Sequence, residues 1–219
     1  MRRVLVVWIV GGWTALTGAE TIRFDSVRPG SFPSDWTVAM THNGGAPKWE
    51  VRRDASAPSK PNVLAQVSAD RNDGRCPLAI LNTANFQDGE VSVKFKTVAG
   101  KMDQAAGLVW RYRDPNNYYL VRANAIENNI VMYKVENGNR TSLDPKGKPP
   151  KTYGVRHRIP SRTWNILKVS FKKSRFEVYF DHRKVFEAED STFTQPGKVG
   201  LWTKADSVTY FDDFQFSGK

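Results

Sequence analysis

Arg111, Tyr118, Arg122, Lys134 and Trp202 are the side chains of this 219-residue chain whose types best suit holding a polar or anionic ligand. A guanidinium is a planar fork of donors that binds carboxylate or sulfate bidentately. Tyrosine and tryptophan rings offer flat surfaces for stacking. Together these groups would suit the acidic groups and hydroxyls of a glycan. A second reading stands beside it: the arginines pair with carboxylates across a sheet and serve only the fold.

The acidic residues suggest less chemistry. Glu187 and Glu189 are two apart and would share a strand face, but Glu189-Asp190-Ser191 runs straight into a turn, the pattern of a solvated strand end. Asp212-Asp213 lies in the last expected strand, beside a first strand expected at Ile22–Asp25. Asp25 and Asp213 are therefore the candidate ligands for calcium, which takes 6–8 oxygens. Asp212 also fits a structural role, hydrogen-bonded to backbone. His42 and Trp49 flank the Gly44-Gly45 loop and could form a ligand-touching rim, although Trp49 fits a core equally well. The single cysteine, Cys76, excludes an intramolecular disulfide, and its apolar neighbours suit a buried thiol.

Strands must position these groups. Gly107–Leu143 reads as three strands with tight reversals at Asp114–Asn117 and Ala125–Glu127. With Pro115-Asn116 as a two-residue loop, Arg111 falls opposite Leu120 and Val109 opposite Arg122. Leu108, Trp110, Tyr112, Tyr119, Val121 and Ala123 then share a core face. Arg111, Tyr118 and Arg122 share the other, expected to be open to solvent or a partner. Keeping Lys134 out of the core places Val131, Tyr133 and Val135 inside. Alternation elsewhere puts inward Val91, Val93, Phe95 and Thr97; Leu167, Val169 and Phe171; Phe176, Val178 and Phe180; and Val208, Tyr210, Phe214 and Phe216. No segment reads as a helix. Many short strands separated by turn signals predict an all-β sandwich of two antiparallel sheets.

Aromatics at 12% and charged residues at 25% are those of a folded protein. Residues 1–19 read as a signal peptide: Arg2 and Arg3, an apolar run, then Thr17-Gly18-Ala19 before an expected cut. The mature domain would be residues 20–219, secreted or periplasmic, and no later segment is long enough to span a membrane as a helix. Loss of the leader lowers the net charge of +11 by two, still strongly basic. That favours anionic partners. No nucleic-acid-binding pattern accompanies the charge, so a polysaccharide or oligosaccharide, acidic groups included, is the expected partner.

The stretches GLVWRYRDPNNYYLVRAN, WNILKV, FEVYFD, VFEAEDSTF, GKVGLWT and YFDDF, in this order, resemble the concanavalin A-like lectin/glucanase jelly rolls. Within them the likeness is to laminin-G-like and 3-keto-disaccharide-hydrolase-like domains of bacterial secreted proteins, over roughly residues 20–217. The resemblance implies a jelly-roll sandwich and leaves function open among lectins, hydrolases and adhesion modules. The chain lacks the Glu-x-Asp-x-x-Glu strand of the laminarinase-type members, whose retaining chemistry needs paired carboxyls about 5–5.5 Å apart. The expectation is therefore a non-catalytic carbohydrate-binding module. A glycoside-processing hydrolase and an adhesion domain are the alternatives.

Overall fold

A computed structural model describes residues 18–219; the leader expected at 1–19 lies outside the described residues apart from Gly18 and Ala19. The chain forms two antiparallel sheets packed as a jelly-roll sandwich, with no helix among the described residues. In spatial order, sheet A is β14 (Arg183–Glu189), β13 (Arg175–Phe180), β12 (Asn165–Lys172), β6 (Gly89–Ala99), β16 (Val208–Gly218), β4 (Asn62–Gln66) and β3 (Trp49–Arg53), with β1 (Glu20–Ile22) also on β16. Sheet B is β10 (Asn139–Ser142), β9 (Asn129–Glu136), β8 (Asn117–Asn124), β7 (Ala105–Asp114), β15 (Gly197–Trp202), β5 (Cys76–Phe86) and β2 (Trp36–Thr41), with β11 (Val155–Arg156) also on β9.

The clean alternations place their strands as expected. Val91, Val93 and Phe95 of β6, Leu167, Val169 and Phe171 of β12, and Phe176, Val178 and Phe180 of β13 are buried between the sheets. Sheet B meets them with Leu108, Trp110, Tyr119, Val121 and Ala123. Trp49 also belongs to this core, its ring 5.7 Å from that of Phe211, so it does not form a rim.

Three expectations of register are overturned, each by a local irregularity or by a missing cue. Asp114 does pair with Asn117, but the next pair is Trp110 with Tyr119, so a bulge interrupts β7. Val109 thus lies opposite Leu120, and Gly107 opposite Arg122. A bulge re-aims the side chains it carries. Arg111, in the left-handed region at φ 47°, turns into the sandwich, and Tyr112 packs on the opposite, outer face. The close approach requires Gly197, because a Cβ there would lie 2.5 Å from the Arg111 carbonyl carbon.

In β9 the parity is the reverse of that expected. Ile130 and Met132 face the core, whereas Val131, Tyr133 and Val135 lie on the outer face. Both faces of β9 are apolar, so alternation held no cue. Lys134, opposite Tyr119, reaches out at the edge of the core to Thr192 Oγ1 (2.9 Å) and Glu136 (3.3 Å). In β16 a bulge between Asp212 and Gln215, with Asp213 at φ 45°, shifts the inward set to Phe211, Phe214 and Phe216 in place of Val208 and Tyr210. β1 ends at Ile22, short of Asp25.

The two outer faces differ in kind. That of sheet A is polar, carrying Glu90, Lys94, Lys168 and Glu177 in ion pairs. That of sheet B is a second apolar cluster, built of Leu78, Ile80, Val109, Leu120, Val131, Tyr118, Tyr133 and Trp202 among others. An antiparallel sheet ordinarily keeps one face for water, so sheet B departs from the usual division.

Candidate functional site

The outer face of sheet B is concave. Arg140 belongs to the edge strand β10, yet its guanidinium lies 5.7 Å from the ring of Trp202 on β15. Four strand spacings of about 4.8 Å separate those strands in a flat sheet, more than the two side chains can span. The sheet therefore curls around this face. Gly107 helps: a Cβ there would lie 2.8 Å from Leu120 Cδ1 and 3.1 Å from the Trp202 ring, so glycine lets the indole lie down on the sheet.

At one end of the concavity a polar cluster gathers around Arg122. Its guanidinium makes a fork with Glu127, donating from Nη1 to Oε1 and from Nη2 to Oε2, each at 2.8 Å. Nη2 also donates to Tyr153 Oη at 3.1 Å, and Asp103 stands 3.8 Å away. Asn124 Nδ2 donates to both Asp103 (2.6 Å) and Glu127 (3.0 Å), so these carboxylates sit within two hydrogen-bond lengths of each other. Lys204 completes the set, 3.0 Å from Asp103 and 2.5 Å from Asp73. The Tyr133 and Tyr153 hydroxyls share a 2.5 Å hydrogen bond, and Arg140 lies over the Tyr133 ring at 4.8 Å.

Electrostatics follow from this packing. The Arg122 fork holds the Glu127 carboxyl down at about 2, against an ordinary 4.5. Burial opposes the Arg122 charge, but Glu127 and the two tyrosines outweigh it and raise its pKa. Burial raises the Tyr133 phenol and pushes the Cys76 thiol up to about 11, so both stay protonated at neutral pH. Arg122 Nε and Arg140 Nη1 are buried here without a hydrogen-bond partner. Buried polar atoms without partners occur in the core between the sheets as well, at Trp49 Nε1 and Trp110 Nε1, so these two do not by themselves mark a ligand site.

The depressed Glu127 pKa has a consequence for stability. Its folded value lies below its unfolded one, so its contribution is present above pH 4.5 and lost as pH falls through about 2. Glu127→Gln should flatten that acid limb. Melting temperature measured from pH 6 to pH 2 checks it, and parallel curves for the two proteins would show that the Arg122 fork does not act on folding.

Of the residues singled out from the sequence, the structure brings Tyr118, Arg122 and Trp202 onto this side of sheet B but buries all three, so neither ring is open for stacking and the expected solvent-facing arginine face is closed over. The Tyr118 hydroxyl meets Thr41 Oγ1 at 2.7 Å, and His42, the next residue, is exposed. Arg111, Lys134 and Trp49 are placed elsewhere, as described. Asp213 is held by Lys94 (2.7 Å) and Arg23 (3.1 Å), while Asp25 Oδ1 accepts the Asn62 N–H. Among the described residues no three His, Cys, Asp or Glu side chains come together as a metal site. Asp212 is buried and accepts the Ser59 N–H and hydroxyl at 2.7 Å, a structural arrangement. Sequence reasoning missed Asp103, Glu127, Tyr133, Arg140 and Tyr153. Only the β9 register would have revealed Tyr133, and no local signal marks Tyr153 in the loop after β10.

A jelly roll with a concave polar and aromatic face defines the class of protein. More narrowly, residues 24–217 match the model of the 3-keto-alpha-glucoside-1,2-lyase-like domain, and the chain belongs to that family. Among solved structures it is similar to the carbohydrate binding module CBM66 from Bacillus subtilis, with TM-score 0.63 and 20% identity over 84% of this chain and 96% of that one. It is similar too to the cellulose induced protein Cip1, with TM-score 0.59 and 11% identity over 91% of this chain and 97% of that one. A third similarity is to the GH43 protein BlXynB from Bacillus licheniformis, as a mutant, with TM-score 0.51 and 15% identity over 78% of this chain and 37% of that one. At these identities the likeness is one of fold. No curated protein matches the chain.

Proposed function

We propose that this chain is a secreted or periplasmic, non-catalytic saccharide-binding module, and that the glycan is held at the Arg122–Arg140 end of the concave face. The observation that carries the reading is the polar and aromatic cluster at that end of the face, where partly exposed Arg140 lies over the Tyr133 ring at 4.8 Å and half-exposed Tyr153 stands beside the Arg122–Glu127 fork. Guanidinium donors and an aromatic edge suit sugar oxygens, and the net charge of +11 favours glycans that carry acidic groups. The carbohydrate-binding neighbour shares the fold, which supports the same direction. Secretion rests on the n-h-c pattern of residues 1–19.

A glycoside-processing enzyme is the second reading, favoured by the Asp103–Glu127 pair and by the family's lyase-like description. Proton transfer works best from groups whose pKa lies near the working pH. Glu127, held at about 2, is ionised at neutral pH and is a weak base there. That speaks against Glu127 as an acid or base at neutral pH and supports the binding reading.

A glycan array on residues 20–219, followed by affinity measurements on Arg140→Ala and Tyr153→Ala, tests the proposal. Loss of a charge-assisted contact should cost Arg140→Ala about ten- to a hundredfold in affinity. Binding of acidic glycans should also weaken as salt rises. Wild-type affinity in both variants would move the site elsewhere, and turnover of a bound glycan would favour the enzyme.

A further inference from the structure

The outer face of sheet A holds a groove of about 350 Å³ that none of the foregoing uses. Two irregularities flank it. β16 bulges between Asp212 and Gln215, and β13 shifts register between Val178 and Tyr179. Bulges on a sheet face re-aim side chains and are found beside binding sites. The first of these holds Asp213 in the left-handed region at φ 45°, a strained backbone for a residue other than glycine. The strain brings the Asp213 carboxylate to the groove, where Lys94 (2.7 Å) and Arg23 (3.1 Å) neutralise it.

Around that charge pair stand groups with capacity to spare. Lys94 uses one of three ammonium donors on Asp213. Lys168 uses one on Glu90 (2.9 Å) and sits 5.0 Å from the Tyr179 ring centre. The Gln215 amide, the Ser92 hydroxyl and the His182 ring also line the groove. Ile166 and the Tyr179 ring supply an apolar wall. A free anion would meet Asp213. A sugar ring would not suffer from it: hydroxyls donate to a carboxylate and accept from ammonium and amide groups, while the C–H face lies on an apolar wall.

We propose that this groove is a second saccharide site, one that recognises the hydroxyls of a neutral sugar unit, on the opposite side of the sandwich from the concave face. Two sites back to back would let one molecule hold two chains or two parts of one glycan, which raises avidity without any new contact. The inference goes beyond the concave-face reading and does not need it.

Amide and side-chain NMR of residues 20–219 with cellobiose, maltose, sucrose and trehalose at millimolar concentration tests it. The expected result is a shift of Gln215, Lys168 and Tyr179 resonances by at least one sugar. Lys168→Ala combined with Gln215→Ala, both at the surface, should weaken that response about tenfold or more and leave any concave-face response unchanged. Shifts confined to the concave face would overturn the groove and leave the first site standing. Shifts confined to the groove would support it and count against the concave face. No shift in the groove with any of the four sugars overturns the proposal, whatever the array shows.

Discussion

Arg111→Ala should lose about 3–5 kcal/mol of folding stability, the scale for breaking a buried charged network by removing one partner. Arg111 is fully buried. Its Nε donates to the Gln87 carbonyl (2.9 Å), Nη1 to the Phe193 carbonyl (2.7 Å) and Nη2 to the Lys173 carbonyl (2.6 Å), with Asp88 Oδ1 at 3.4 Å. The guanidinium also lies over Phe171 and Phe176, at 5.9 and 5.6 Å. One side chain thereby ties three loops to the bulge in β7. Alanine would leave three carbonyls without donors and a cavity beside two rings. Arg111→Lys should recover only part of the loss, because an ammonium cannot reproduce the fork. Urea denaturation of both variants reads the effect. An unchanged midpoint with lost glycan affinity would mean that Arg111 contacts ligand after all.

Trp110→Ala should cost a similar amount, about 3–5 kcal/mol, for a different reason. Its ring stacks on Tyr119 (5.4 Å) and Phe171 (5.9 Å) and meets Phe176 edge-on (5.3 Å), so it joins the two sheets. The loss is of apolar contact and of a filled volume, not of hydrogen bonds, since Trp110 Nε1 has no partner. Trp110→Phe should therefore restore much of the stability, whereas no aromatic replaces Arg111. The denaturant midpoints of Trp110→Ala and Trp110→Phe separate the cases. Equal losses in both would show that indole size, not aromatic packing, is what the site needs.

Taken together the two variants bear on function. Neither residue lies on the concave face, so any loss of binding they show should track the unfolded fraction. Arg140 and Tyr153, by contrast, should affect affinity at constant stability.

The sandwich is legible in the residue pattern, because strand after strand alternates apolar and polar residues with period two: Val91, Val93 and Phe95 against Ser92 and Lys94 in β6, and Leu167, Val169 and Phe171 against Lys168 in β12. Residue type alone also placed Arg122, Tyr118 and Trp202 among the chemically interesting residues. Which face each group occupies depends on the folded ladder. Alternation assigns a face only while the ladder is regular and only one side is apolar. The bulge in β7 breaks the first condition and sends Arg111 into the interior, where parity had it outside. The second fails in β9, where Val131, Tyr133 and Val135 are as apolar as Ile130 and Met132, so either register buries a good set. The Arg122 cluster was hidden for a further reason. Asp103, Glu127, Tyr153 and Lys204 come from four separate loops or turns, and only the side-by-side pairing of β15, β7, β8 and β9, with β11 on β9, brings them to one end of the sheet and within hydrogen-bond reach.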